Sequence, residues 1–600
     1  MINSHDTPAS TLTAGGSVVF RCSSLLARRV RCAYLSRVHR RSEPDSSPTA
    51  ERAHLHALDT QRARGGVSRR KALGAHYTPP TLVDHLIHEA LHGIRALKAL
   101  GCFLDPACGS GNFLVAMTKE WARRTKEPIA SVLADRVYGI DLDGEAVRLA
   151  REALLALLPA RTSTKVRERV AQALGSHVIK GDALDAEIRA RLGVCEFGMV
   201  LGNPPFLSQL KRGTVASRSR ARAVSVATHG AVRRYADGAT AFLLVGLECL
   251  KPRGRLAFVM PISFLSAGDA GAARARALEI AGLNAIWSAH EGFFTDANVR
   301  VCGVVLERDR LSRGRGPMTS RHKQSTSVRR AFGAEFKPLS SCEWSPSTRD
   351  STWSPLLAEA FGAPRTAMQV AEGATLGNFA SATADFRDQY YGLQAALIED
   401  PRAVAPLVTT KHIDFACNRW GVCDVRIFRN TRRHPAIDLD ALSEQPKMRA
   451  WLEQRRTPKV LVATQTKIME AWVDEAGLAV PLVPLLTVQP HRAADLWIIA
   501  AAIASPVVAA RAVALYAGSA LSSGAIKLSA KQLLAMPTPC DLALWGESAR
   551  IFRQISRERV EVKRAALLAN FAEVSCRAHG LGGDSLQETM QFWRTRAGLA

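Results

Sequence analysis

Between Leu73 and Glu307, short apolar runs alternate with longer amphipathic segments. Few architectures other than a parallel sheet with crossover helices accommodate that pattern. Cys102–Leu104, Val137–Ile140, His177–Ile179, Phe197–Leu201 and Arg255–Met260 read as strands, and Phe113–Arg124, Gly144–Leu157 and Ala239–Leu250 carry helical periodicity between them. Leu283–Ala289 and Val299–Leu306 read as two more strands joined through a turn, an antiparallel pair at one sheet edge.

The chain has 600 residues, more than one compact core holds, so further domains are expected. Residues 1–70 are rich in Arg, Ser and Ala and read as a basic, disordered arm. Residues 71–308 form the α/β unit. Residues 309–365 are basic, with much Ser, Gly and Pro, and read as a linker or variable surface. Residues 366–540 carry short strands and turns and then the helical pattern Ala493–Leu515, a second domain of mixed α+β type. Residues 541–600 read as amphipathic helices.

A hydrophobic share of 47% excludes wholesale disorder. The formal charge of +26 points to a polyanionic partner such as nucleic acid, although a bias toward Arg produces the same excess. The 12 cysteines form no Cys-x-x-Cys pair and no His/Cys cluster at zinc spacing, so neither disulfides nor a metal is expected, and a cytoplasmic setting fits. No run of 18 apolar residues appears, so no membrane association is expected.

Phe103-Leu104-Asp105-Pro106-Ala107-Cys108-Gly109-Ser110-Gly111-Asn112-Phe113-Leu114 takes a strand through a two-glycine turn into a helix, which lets backbone approach a ligand closely. The third glycine of a dinucleotide fingerprint is replaced by Leu114. Asp105 before the turn disfavours a pyrophosphate and favours a cationic or amino-bearing ligand. Asp141, ending Val137-Tyr138-Gly139-Ile140-Asp141, is suited to two ribose hydroxyls. Asp182, in Lys180-Gly181-Asp182-Ala183, can accept from an adenine amine. Three acids at three successive strand ends point to one shared cleft.

Asn203-Pro204-Pro205-Phe206 follows the next apolar strand. Two prolines stiffen the backbone and remove its donors, leaving carbonyls as acceptors. The Asn203 amide oxygen and the Pro204 carbonyl can then take both hydrogens of a planar amino group, while Phe206 offers a face for stacking.

Together and in this order, these motifs resemble the amino-methyltransferases of DNA, in the class with the cofactor half first, the catalytic half second and the target-recognition domain last. The resemblance implies a seven-stranded, mostly parallel Rossmann-like sheet, S-adenosylmethionine (SAM) as cofactor and double-stranded DNA as partner, with the target base flipped out. It assigns SAM contacts to Tyr77 and Thr78, within Gly74-Ala75-His76-Tyr77-Thr78-Pro79, and to Asp105, Ala107, Gly109, Gly111, Asp141, Asp182 and Ala183. It assigns catalysis to Asn203, Pro204, Pro205 and Phe206, with Phe294 of Glu291-Gly292-Phe293-Phe294 sandwiching the base. Asp388–Leu393, Pro458–Val462 and Ile526–Ser529 resemble recognition regions of restriction-modification enzymes, which adds restriction subunits as possible partners. Tyr390, Tyr391 and Trp420 join the candidates for DNA contact.

Adenine N6 is the expected target. Cytosine N4, an RNA base and a protein glutamine suit the same amino chemistry and stay open as alternatives. Cytosine C5 needs a nucleophilic Cys after Pro in the catalytic loop, and the sole Pro-Cys pair is the distant Pro539-Cys540.

Overall fold

The computed structural model describes residues 78–206, 224–232, 238–289, 300–309, 326–344, 352–368, 373–384, 387–518, 520 and 524–599. The basic arm, Tyr77, Phe294 and residues 310–325 lie outside them.

Helix α1 (Pro80–Leu91) precedes β1 (Phe103–Asp105). Then come α2 (Asn112–Thr125), α3 (Ile129–Asp135), β2 (Val137–Asp141), α4 (Gly144–Leu155), α5 (Thr164–His177) and β3 (Val178–Lys180). After α6 (Ala186–Ala190) the chain forms β4 (Phe197–Gly202), α7 (Gly238–Glu248), β5 (Leu250–Pro261), α8 (Gly271–Ile280), β6 (Ala281–Ser288) and β7 (Val301–Arg308). Among the described residues these strands lie in the order β3-β2-β1-β4-β5-β7-β6. The strands β1 to β5 pair in parallel, and β7 runs antiparallel between β5 and β6.

The seven expected strands are thus present, but the sheet does not stop there. Thr326–Phe332 (β8) pairs in parallel with β6, and Lys337–Trp344 (β9) pairs antiparallel with β8. The β6–β7 pair is therefore not at an edge. Part of the stretch read as a linker, Thr326–Trp344, is a hairpin that covers β6, whose backbone groups need partners. Trp353 and Phe361, farther along the same stretch, are buried in the core.

Alternation along β4 places both faces of the sheet in apolar layers. Met199 and Leu201 pack with Leu82, Phe113 and Trp121, whereas Val200 packs on the opposite side with Leu243, Leu256 and Phe258. That second core continues without a break through Trp353 and Leu357 to Val508, Val513, Phe552 and Trp593. The C-terminal helices Leu542–Arg557, Glu561–Ala578 and Gly583–Ala597 are thereby built into the rest of the molecule.

Residues 380–490 contribute an antiparallel sheet in the order Ala380–Ala384, Leu486–Pro490, Lys459–Val462, Ala471–Asp474. Pro506 divides the long helical pattern into Leu496–Ala504 and Pro506–Tyr516, with a bend of 56° in this region. Among the described residues no single helix is long and apolar enough to cross a membrane.

His579 is buried, with neither ring nitrogen hydrogen-bonded among the described residues. Burial lowers its pKa to about 3. The folded protein holds this ring neutral, while the unfolded chain protonates it near the ordinary histidine value. The resulting stability is complete above about pH 6.5 and is lost as pH falls toward about 3. Replacing His579 with Leu should therefore open a gap in urea midpoints, relative to wild type, that shifts in the variant's favour from about pH 7 to about pH 5. A gap independent of pH contradicts this.

Candidate active site

The order β3-β2-β1-β4-β5 reverses direction between β1 and β4, and such switch points open a crevice at the carboxyl ends of the strands. Leu104 on β1 pairs with Val200 on β4 and with Tyr138 on β2. Asp105 and Asn203 therefore emerge at the mouth of the same crevice, with Asp141 two residues past the partner of Asp105 on β2.

Asp105 is 1% exposed, and its Oδ1 accepts from the Ala107 N–H at 3.0 Å. Burial pushes its carboxyl up to about 8, Asp141 nearby adds to the rise, and the Ala107 bond opposes it. A positive group beside it would favour the ionised form. Gly202 is required by this carboxylate, because a Cβ at that position would stand 2.5 Å from Asp105 Oδ1.

The turn after β1 is made by Gly109 (φ 51°) and Gly111 (φ 93°), both left-handed, and Gly111 is the N-cap of α2. The Gly109 N–H donates to Asp141 Oδ2 at 2.8 Å, and the Asp143 N–H donates to Oδ1 at 2.9 Å. Burial raises the Asp141 carboxyl above its ordinary value, while those two bonds pull it down. The Gly181 N–H donates to the Asp141 carbonyl at 2.9 Å, which ties the third strand end to the second. Asp182 turns its Oδ1 to the Leu184 N–H at 3.1 Å, and Ala183 is buried beside it. The structure thus brings Asp105, Ala107, Gly109, Gly111, Asp141, Asp182 and Ala183 along one rim.

Asn203 Nδ2 donates to Thr78 Oγ1 at 2.9 Å, joining the loop after β4 to the segment leading into α1. Pro204 is buried, and Pro205 and Phe206 are half-buried, with Phe206 packed against both cores. One residue of this site was missed. Asn112, the first residue of α2, donates from Nδ2 to the Thr78 carbonyl at 3.4 Å, and its own buried Oδ1 has no hydrogen-bond partner among the described residues. Its place directly after the second turn glycine was the signal available.

These residues fit a nucleoside bearing a charged amino acid. Two left-handed glycines leave room for a ligand over the turn, carboxylates stand at two adjoining strand ends, and a buried acceptor at Asn112 is unsatisfied among the described residues. Among the described residues no His, Cys, Asp or Glu cluster could hold a metal ion.

Sheet order and crevice are those expected of a Rossmann-like sheet that binds a nucleoside cofactor at its switch point. Residues 66–327 match the family model described as N-6 DNA Methylase. The fold is similar to that of the Type IIL restriction-modification enzyme MmeI in complex with DNA. That match has a TM-score of 0.52 at 13% identity over 89% of this chain and 77% of that one. Weaker matches include the type IIG restriction endonuclease BpuSI (TM-score 0.39, 14% identity, 92% and 68% coverage). The methyltransferase subunit of a type I restriction-modification system from Streptococcus thermophilus also matches (0.32, 19%, 48% and 53%).

Proposed function

We propose that the chain methylates the N6 amino group of adenine in double-stranded DNA, as the modification activity of a restriction-modification system in the bacterial cytoplasm. The observation that carries this reading is Asn203-Pro204-Pro205-Phe206 at the carboxyl end of β4, beside the three-acid rim. The name of the matched family and the fold shared with an enzyme described in complex with DNA support it.

SAM, when bound, supplies a methyl group on a positively charged sulfur. Thr78, Ala107, Gly109 and Gly111 would hold it, with Asp105 facing its ammonium, Asp141 its ribose, and Asp182 with Ala183 its adenine; Tyr77 belongs to the same set. Asn203 Oδ1 and the Pro204 carbonyl accept the two hydrogens of the target amine and so turn its lone pair toward the cofactor crevice. Pro205 keeps that carbonyl in place, and Phe206 and Phe294 stack on the flipped base. Base flipping is required because an amine inside a duplex cannot reach the crevice.

Residues 366–540, with the helices of 541–600 packed against them, are the proposed target-recognition part. Tyr391, 57% exposed, is the better placed of its aromatic candidates for DNA, since Tyr390 lies against Phe428 and Trp420 Nε1 is bonded to the Pro435 carbonyl at 2.8 Å. Lys459 is no part of that surface. It is 0% exposed, and its Nζ pairs with Asp474 Oδ2 at 2.6 Å.

Transfer of labelled methyl from SAM should be seen with duplex DNA, and binding to that duplex should weaken steeply with salt, at a log–log slope near −0.9 for each phosphate neutralised. Labelling confined to RNA or protein, or binding that is flat with salt, contradicts the reading.

A further inference from the structure

A second feature lies on the same edge of the sheet. Arg300 immediately precedes β7, and its carbonyl accepts from the Ile262 N–H at 3.0 Å, just past the end of β5. Gly202 on β4 pairs with Phe258, and Pro261 on β5 pairs with Val301. Arg300 therefore lies two strands across from Asn203 and a few residues farther out, about 15 Å away by ordinary strand spacing and rise.

The Arg300 side chain lines a cleft between the catalytic domain and the helices of the second, opposite Arg596. No acid is found among the described residues lining it. The guanidinium lies over the Phe361 ring, 5.9 Å from its centroid, and its Nε is buried with no hydrogen-bond partner among the described residues. Burial alone lowers its pKa. Arg596, by contrast, is held by backbone: it donates to the Lys467 carbonyl at 2.7 Å and to the Gly524 carbonyl.

A half-buried guanidinium whose Nε has no acceptor among the described residues is costly unless a ligand supplies one. Its planar fork matches the paired oxygens of a phosphodiester, and the position is within about four base steps of the proposed catalytic loop. We propose that the Arg300 cleft binds a backbone phosphate of DNA near the flipped base, with Arg596 as a fixed second charge. This inference rests on the proposed DNA activity. It adds a positioning residue that none of the recognised motifs contains.

The test compares wild type with Arg300→Met, which keeps the stem over Phe361, with Arg300→Gln as a second neutral variant, and with Arg300→Lys, which keeps the charge. Each is titrated with a mixed-sequence duplex over a range of salt and, separately, with SAM. Both neutral variants should bind the duplex about tenfold more weakly at low salt, with a slope shallower by about 0.9, and should bind SAM unchanged. Arg300→Lys should regain the wild-type slope. If wild type binds the duplex steeply with salt and the neutral variants match it in affinity or slope, the phosphate site is wrong and the proposed activity stands. If wild type itself does not bind duplex DNA, the activity and the site fall together.

Discussion

Asn203→Ala is expected to bind SAM and duplex DNA as wild type does, and to transfer methyl groups at least about 10²–10³-fold more slowly in a single turnover. The amide oxygen acts on the target amine as its nitrogen becomes nucleophilic, so its contribution falls on the rate and little on binding either ligand. Asn203 also donates to Thr78 Oγ1, so a loss could come from loosening that contact. Thr78→Val separates the two causes, because it breaks the same bond and leaves the Asn203 oxygen in place. It should lose far less than Asn203→Ala. Equal losses would make Asn203 a brace for the segment before α1, and near wild-type transfer by Asn203→Ala would reduce the Pro-Pro loop to a rigid turn.

Asp141→Ala is expected to weaken SAM binding by about 10- to 150-fold, or roughly 1.5–3 kcal/mol, through loss of charge-assisted bonds to the ribose. Its carboxylate also holds the Gly109 N–H at 2.8 Å, so part of the loss reflects the glycine turn itself. Asp141→Asn keeps an acceptor for that N–H and should fall between the two. Calorimetry on folded variants reads this directly. A dissociation constant unchanged in Asp141→Ala would place Asp141 outside the cofactor site.

The catalytic half was legible because its strands are buried on both faces and so read as continuous apolar runs, and because glycines and acids recur at their ends. Phe197–Gly202 and Val137–Asp141 are plain examples. The hairpin of β8 and β9 was not legible. In Thr326–Phe332 Val328 and Ala331 are the buried apolar residues among those described, and the arginines between them gave the segment the composition of a surface loop. Arg330 in fact donates to the Leu356 carbonyl at 2.9 Å, so its charge serves packing.

The division into domains was blurred for a related reason. Trp353 is a single aromatic residue in polar surroundings and Phe361 ends a short apolar run beyond it, and sequence gives no sign that they join one apolar core to the next. Asn112 and Arg300 escaped notice because each acts through one side chain outside any periodic pattern. Only the fold shows that the first meets Thr78 and the second faces a cleft.

The most direct measurement is nucleoside analysis by mass spectrometry of duplex DNA incubated with the protein and isotopically labelled SAM. N6-methyladenine carrying the label is expected with wild type, and little or none with Asn203→Ala. Label in N4-methylcytosine, or unlabelled DNA from a protein that binds both SAM and duplex, would contradict adenine N6 as the target.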